Sequence, residues 1–566
     1  MPVLRLALAQ LNATVGDVAG NRRRITDAIR HAQAWLADLV VVPELALPGY
    51  PPEDLLLKPQ FVEECRQALR DLAGWARGIT AIVGCVDRER SGRLFNAAAV
   101  LAQGRVAAMY HKRYLPNYGV FDEQRYFHPG SQELLLQLRG VPIGLEICED
   151  LWMPQPTQAL ARAGARVIVA LSASPYHAGK LRQRQALFAR RALDNRVAIA
   201  YCNLIGGQDE LVFDGASLVL DAHGRLVAQG RQFQEDLLLC ELSPNHLGPA
   251  RPVRGALKIP VAPPAKRPPV PARRIRMLRP LAEVYEALCL GLRDYVRKNR
   301  FETVVLGISG GIDSALTAAL AVDALGADHV VGVVMPSAYS SRATQEDARH
   351  LARALGIRCE ELPIEGLRRA YRAALAGRLG RSPRGSVSVT EQNLQARIRG
   401  TLLMALSNAF GWLVLTTGNK SEMATGYTTL YGDMAGGFAV LKDVPKTLVY
   451  RLARYRTRRG PGAPIPARVF RRAPTAELAP RQRDQDTLPP YPALDAILKA
   501  YVEEDRSLAQ IQARNRFAPG LVARVIRMVD RSEYKRRQGP PGLKITPKAF
   551  GRDRRMPITN RYESVQ

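Results

Sequence analysis

Between residue 4 and about residue 242, short runs of β-branched and other apolar residues recur at intervals filled by amphipathic stretches. The runs 39–42, 81–86, 142–147, 167–171, 197–202 and 217–220 predict strands, and their alternation with helical patterning predicts an α/β layered domain. The pattern fails after Pro244, where Pro249, Pro252, Pro260, Pro263, Pro264, Pro268, Pro269 and Pro271 follow with little periodicity. Such a stretch predicts an extended, semi-rigid linker. Beyond it, a helix over 281–298 leads to strands at 303–308, 330–335 and 412–416, separated by helical patterns, which is the spacing of a doubly wound parallel sheet. The basic tail from 533 to 566 carries Pro540, Pro541, Pro547 and Pro557, which oppose a continuous helix and leave room for a folded lid. The expected division is therefore 1–245, a linker at 246–275, and 276–566, with no repeat at a solenoid period.

Composition changes this picture little. The 566 residues are too many for one hydrophobic core, and 47% apolar with 23% charged residues is ordinary for a folded chain. A formal charge of +29 raises nucleic acid as a partner. The excess is mostly arginine spread along helical segments, with no recognition module beside it, so no nucleic-acid partner is expected. Seven cysteines, an odd number with no Cys-x-x-Cys pair, suggest neither a disulfide framework nor a zinc cluster, and hence a reducing compartment. The apolar start reaches Asn12, Gly16 and Asp17 too early for a signal-peptide core, and no apolar run approaches a membrane span. A cytoplasmic homo-oligomer with small-molecule partners is expected.

Three residues needed for thiol amidase chemistry each stand in a distinctive phrase. Glu44 follows the apolar run 39–42, Lys112 opens Lys-Arg-Tyr-Leu-Pro-Asn-Tyr-Gly-Val-Phe-Asp-Glu, and Cys148 follows the run 143–147. Cleaving an amide with a thiol needs a base for the thiol proton and a fixed cation or donor for the tetrahedral oxyanion. Glu44 suits the first role and Lys112 the second. Any one of them alone would be an inert thiol or a surface charge. Together, this half resembles the nitrilase superfamily, whose amidases carry a Glu-Lys-Cys triad on an αββα sandwich. The resemblance implies Glu44 as base, Lys112 beside the oxyanion, Cys148 as nucleophile, and Glu123 as a supporting carboxylate. The phrases 171–180 and 201–215 resemble the version of this domain found in NAD+ synthetases, which implies glutamine contacts at Tyr118, Ser174 and Lys180.

In the second half, Gly307, Ile308, Ser309, Gly310, Gly311, Ile312, Asp313 and Ser314 join an apolar strand to a helix over 313–325. A glycine-rich turn at a helix N-terminus cradles anions, and Asp313 suits a hard cation such as Mg2+. No Gly-Lys-Ser/Thr ends the loop, so it is not a Walker A motif. The phrase resembles the loop of N-type ATP pyrophosphatases. The phrases 391–399, 416–422, 431–437, 442–446 and 533–544 further resemble the synthetase domain of NAD+ synthetases, with Gln392 standing where an acidic residue is expected. That likeness implies Thr417 as an ATP contact, Asn393, Glu422 and Lys535 as deamido-NAD+ contacts, and Asp313 and Glu422 as Mg2+ ligands. It also implies that the nicotinate carboxylate is adenylated by ATP, and that ammonia from glutamine, sheltered on its way, displaces AMP. Another amidotransferase with the same ATP chemistry, or a basic nucleic-acid-binding protein on a degenerate enzyme fold, are the alternative readings.

Overall fold

A computed structural model describes residues 3–261, 266–273, 277–378, 387–459, 464–514 and 517–562. Two units separate, Met1–Arg279 and Pro280–Gln566.

In the first unit the strand Leu4–Gln10 shows why a four-layer structure forms. Successive side chains of a strand point to opposite faces. Leu4, Leu6 and Leu8 enter a core shared with a second sheet, through Ile143, Leu145, Val167 and Val169. Ala7 and Ala9 face the other way, toward Ile25 and Ile29 of helix Val18–Ala34 and Leu69 and Leu72 of helix Pro59–Ala73. Because both faces are covered, these strands read as unbroken apolar runs rather than as alternation. The first sheet runs in the order Asp236–Leu242, Leu4–Gln10, Leu39–Val41, Thr80–Arg88, Leu94–Ala102, Arg105–His111. The second runs Leu226–Gln229, Leu218–Leu220, Ala198–Asn203, Val167–Ser172, Val141–Ile147, Leu135–Leu138, Leu257–Ile259. Helices Pro154–Arg162 and Lys180–Asn195 cover its outer face through Leu160, Ala161, Phe188 and Ala192. The result is the αββα sandwich.

The stretch expected as a linker is extended but fastened to this unit. Leu257–Ile259 adds in parallel to Leu135–Leu138 as an edge strand. Arg251 donates to the carbonyls of Ala161 and Asn195, and Arg267 pairs with buried Asp38 at 2.5 Å. An open sheet edge offers unpaired N–H and C=O groups, which a passing extended segment satisfies. Residues 262–265 and 274–276 of that stretch lie outside the described residues, as do 563–566 of the tail.

The second unit carries a five-stranded parallel sheet in the order Arg358–Glu361, Val330–Val334, Val304–Gly307, Leu413–Thr416, Phe438–Ala439. The order reverses beside Val304–Gly307, so the crevice at the C-terminal ends of this strand and of Leu413–Thr416 is the switch point where such sheets bind ligands. Helix Ile312–Leu325 leaves the first of these strands and is buried along most of its length. From the described tail, Leu543 and Ile545 are fully buried, and only a short helix, Glu533–Arg536, forms there.

Candidate active sites

Glu44, Lys112 and Cys148 arrive from three separate strand ends and meet in the interior of the first unit. The Lys112 Nζ donates to Glu44 Oε1 at 2.6 Å and to both oxygens of Glu123 at 2.9 Å. Glu44 also accepts from Asn96 Nδ2 at 2.8 Å and, on its other oxygen, from the Ala173 N–H at 2.8 Å. Tyr50 donates to Glu123 at 3.1 Å. Glu44 and Lys112 are fully buried, and Cys148 is 3% exposed. Cys148 ends strand Val141–Ile147 at φ +44°, ψ −95°, a backbone setting that non-glycine residues adopt only when the surroundings enforce it. Asp150 does part of that enforcing. Its carboxylate accepts from the N–H groups of Ile147, Arg113 and Tyr114 and from the Tyr110 hydroxyl, which ties the Cys148 elbow to the chain that follows Lys112.

Electrostatics set the resting state. Burial pushes the Cys148 thiol well above its ordinary range, Glu44 adds to this and Lys112 opposes it, so the proton stays on sulfur until a base takes it. Burial works against the Lys112 charge too, but Glu123 and Glu44 outweigh it and hold the ammonium protonated. Burial raises Glu123 to about 7 against the pull of Lys112.

Of the three residues expected to contact glutamine, Tyr118 donates its hydroxyl to Glu149 at 3.1 Å. Lys180 Nζ sits 4.5 Å from the centroid of the Trp152 ring. Ser174 is held more deeply, its N–H donating to Asn203 Oδ1 at 3.1 Å. Glu149, which directly follows Cys148 but was not singled out in the sequence, is thus a partner of Tyr118. Asn96 and Asp150 were also missed, for nothing local to either marks it.

In the second unit the loop after strand Val304–Gly307 is tied to itself by hydroxyls. The Gly311 N–H donates to Ser309 Oγ at 3.2 Å, Ser309 N–H to Ser314 Oγ at 3.3 Å, and Ser314 Oγ to the Gly311 carbonyl at 3.1 Å. Gly310 has φ +78°, and a Cβ there would lie 2.2 Å from the Thr344 carbonyl oxygen. Ile308 and Ile312 bury their side chains, so only their backbone groups can serve the loop. Asp313 Oδ1 accepts from Asn419 Nδ2 at 2.9 Å, and its Oδ2 from Lys446 Nζ at 2.5 Å. The same ammonium reaches Glu422 Oε1 at 3.2 Å. Asn419 caps helix Lys420–Thr425, with Glu422 reaching back to its N–H. Burial raises Glu422 to about 7, opposed by Lys446; burial also works against the charge of Lys446, which Asp313 and Glu422 outweigh. Lys446 was within a phrase singled out in the sequence, yet its place between two carboxylates was not foreseen.

Thr417 lines the cavity beside this cluster. Asn393 and Lys535 converge elsewhere, on one loop: Asn393 Oδ1 accepts from Thr429 Oγ1 at 2.8 Å, and Lys535 Nζ donates to the carbonyls of Gly426 and Thr428 at 2.7 and 2.9 Å. Arg472, also unforeseen, pairs with buried Asp347 and donates to the Gly310 carbonyl at 3.1 Å. Among the described residues, no group of three or more His, Cys, Asp or Glu is arranged to hold a metal ion.

The carbon-nitrogen hydrolase family model matches residues 5–252, and the NAD synthase model matches 284–539. The glutamine-dependent NAD(+) synthetase of Thermotoga maritima is 48% identical over the whole of both chains. That of Aquifex aeolicus is 46% identical over 99% of this chain and 100% of its own. The solved structure of the Acinetobacter baumannii glutamine-dependent NAD+ synthetase in complex with ADP superposes with a TM-score of 0.76, at 42% identity and 98% coverage of each chain. The Cytophaga hutchinsonii enzyme, at 22% identity, gives 0.82 over 99% of this chain and 98% of that one, and so speaks to the fold. Two catalytic units in this order, matched along the full length at this identity, place the chain in the family of glutamine-dependent NAD+ synthetases.

Proposed function

We propose that the first unit releases ammonia from glutamine at Cys148 and that the second uses ATP to convert the nicotinate carboxylate of deamido-NAD+ to the amide of NAD+. The observation that carries this reading is the triad geometry: a buried thiol beside a Lys112 ammonium held between Glu44 and Glu123, in the same chain as a nucleotide loop. Because the Cys148 proton is held tightly, attack on the glutamine side-chain carbonyl requires Glu44 to take that proton. Sulfur adds to carbon, the C–N bond breaks, and Glu44 returns the proton to the departing ammonia. Lys112 faces the developing oxyanion with fixed charge. Water then hydrolyses the thioester to glutamate. Tyr118, Ser174 and Lys180 supply polar groups for the charged end of free glutamine.

In the second unit, the carboxylate of deamido-NAD+ attacks the α-phosphorus of ATP and pyrophosphate leaves, while the 309–314 backbone and Lys446 hold the phosphates. Ammonia then attacks the adenylated carbonyl and AMP leaves. Thr417 contacts ATP in this reading, and Asn393, Glu422 and Lys535 serve deamido-NAD+. The Asp313 and Glu422 carboxylates fit Mg2+, which takes one or two carboxylates together with phosphate oxygens. When bound, it would neutralise charge on the leaving pyrophosphate. Among the described residues no helix is long and apolar enough to cross a membrane. The reading carries with it a cytoplasmic homo-oligomer that acts on small molecules. Incubation with deamido-NAD+, ATP, Mg2+ and glutamine, followed by mass analysis, is expected to yield NAD+, AMP, pyrophosphate and glutamate; ADP in place of AMP would contradict it.

A further inference from the structure

Ser172, Ala173 and Ser174 follow one another at the end of strand Val167–Ser172, and the reaction described above uses only the last two. Ala173 gives its N–H to Glu44, and Ser174 serves glutamine. Ser172 is fully buried, where a hydroxyl costs free energy unless it is hydrogen-bonded. Strands Val141–Ile147 and Val167–Ser172 run parallel with Ile147 opposite Leu171, and the Cys148 N–H continues the ladder to the Leu171 carbonyl at 2.8 Å. The next residues on the two chains, Cys148 and Ser172, therefore lie side by side, and the Ser172 hydroxyl hydrogen-bonds the thiol.

Donor accounting gives that bond its direction. A serine hydroxyl has one hydrogen and two lone pairs. Tyr201 donates to Ser172 Oγ at 2.9 Å, which fills a lone pair and leaves the serine's own hydrogen for sulfur. The other acceptor within reach of the Tyr201 hydroxyl, Asn203 Oδ1, is farther off at 3.2 Å and already takes the Ser174 N–H at 3.1 Å. Asn203 is fixed in turn, its Nδ2 donating to the Gly215 carbonyl at 2.9 Å and to Asp214 at 3.3 Å, and Asp214 pairs with Arg184. The Arg184 guanidinium also lies over the Tyr201 ring, and its positive field makes the phenol a stronger donor. Arg184, Tyr201, Asn203 and Asp214 are all fully buried, in a low-dielectric interior that strengthens such a chain of bonds. A hydrogen bond made to the charged form of a group favours that form, so Ser172 joins Lys112 in favouring the thiolate against burial and Glu44.

We infer that Ser172 is a further catalytic residue of the first unit, whose hydroxyl donates to the Cys148 sulfur and holds the thiolate as it attacks the amide and again as it leaves the thioester, with Tyr201 as the residue that positions it. The inference rests on the assignment of Cys148 as nucleophile and is tested apart from it. The full chain is assayed for glutamine hydrolysis and, separately, for alkylation of Cys148 by iodoacetamide, read by mass on the peptide that carries it. Ser172→Ala is expected to lower kcat/KM for glutamine about tenfold or more and to slow alkylation by a similar factor, since the reagent needs the thiolate but none of the glutamine contacts. A chain merely loosened by the substitution would expose the thiol and react faster. Tyr201→Phe keeps the serine hydroxyl but frees it to turn, so a smaller loss is expected in both assays. The double variant is expected to be no worse than Ser172→Ala, because Tyr201 acts through Ser172. Alkylation of Ser172→Ala at the wild-type rate or faster, or losses that multiply in the double variant, would overturn the assignment. Glutamine hydrolysis that survived Cys148→Ala would instead overturn the nucleophile reading itself.

Discussion

At the residue scale, Lys112 has the most exacting position, since its ammonium serves Glu44 and Glu123 at once while facing the thiol. Lys112→Gln keeps a donor of similar reach and removes the fixed charge. Loss of one oxyanion-stabilising group costs about 10²-fold or more in rate, so glutamine hydrolysis should fall at least that far with ammonia-supported synthesis spared. Normal hydrolysis would remove Lys112 from the triad. Glu146 is a residue of another kind. It is fully buried on the outer face of its strand, with one oxygen accepting from Thr157 at 2.8 Å and the other without a hydrogen-bond partner among the described residues. Burial, with a contribution from Asp150, raises its carboxyl from 4.5 to about 8. Below the unfolded value both states hold the proton and nothing is lost. Between about 4.5 and 8 the unfolded chain releases it and the folded chain does not, so stability falls as pH rises through that window. Glu146→Gln cannot titrate, and its thermal midpoint relative to wild type should therefore climb from pH 5 to pH 8. A pH-independent difference between the two would refute this.

At the scale of elements, legibility follows locality. Glu44, Cys148 and the 307–314 loop could be read because each closes an apolar strand with a distinctive phrase. Strand Leu94–Ala102 had no such signal: Ala97, Ala98 and Ala99 are good helix formers, and its place is decided by pairing with Thr80–Arg88 on one side and Arg105–His111 on the other. Leu257–Ile259 is three residues long among prolines, too short for any period, and becomes a strand only because a sheet edge is open beside it. Asn96 was silent because its partners are distant in sequence, and Asp150 because all of its partners but Ile147 are. The nucleotide loop, by contrast, is locally over-determined. Gly310→Ala would place a methyl against the Thr344 carbonyl at a φ that side chains resist. The variant should raise the KM for ATP by on the order of tenfold or more with either nitrogen donor, as steady-state kinetics would show, and an unchanged KM would mean that ATP does not rest on this backbone.

At the scale of the whole molecule, two chemistries with opposite needs share one chain. On the proposed assignment, amide cleavage falls to a buried thiol and a captive cation, and phosphate chemistry to a strand-to-helix turn with carboxylates beside it. Both could be proposed from the sequence because their phrases are local, whereas the fastening of one 426–429 loop by Asn393 and Lys535 is a fact of packing between distant segments. Separate sites imply separable defects. Asp313→Ala removes a hard oxygen donor from the nucleotide cluster and should depress synthesis with either donor. The most direct test of the account is NAD+ formation by Cys148→Ala, measured in parallel with glutamine and with ammonium salt as the nitrogen source. Glutamine-supported synthesis should vanish while ammonia-supported synthesis persists near the wild-type rate; an equal loss with both donors would contradict the assignment of glutamine cleavage to Cys148 alone.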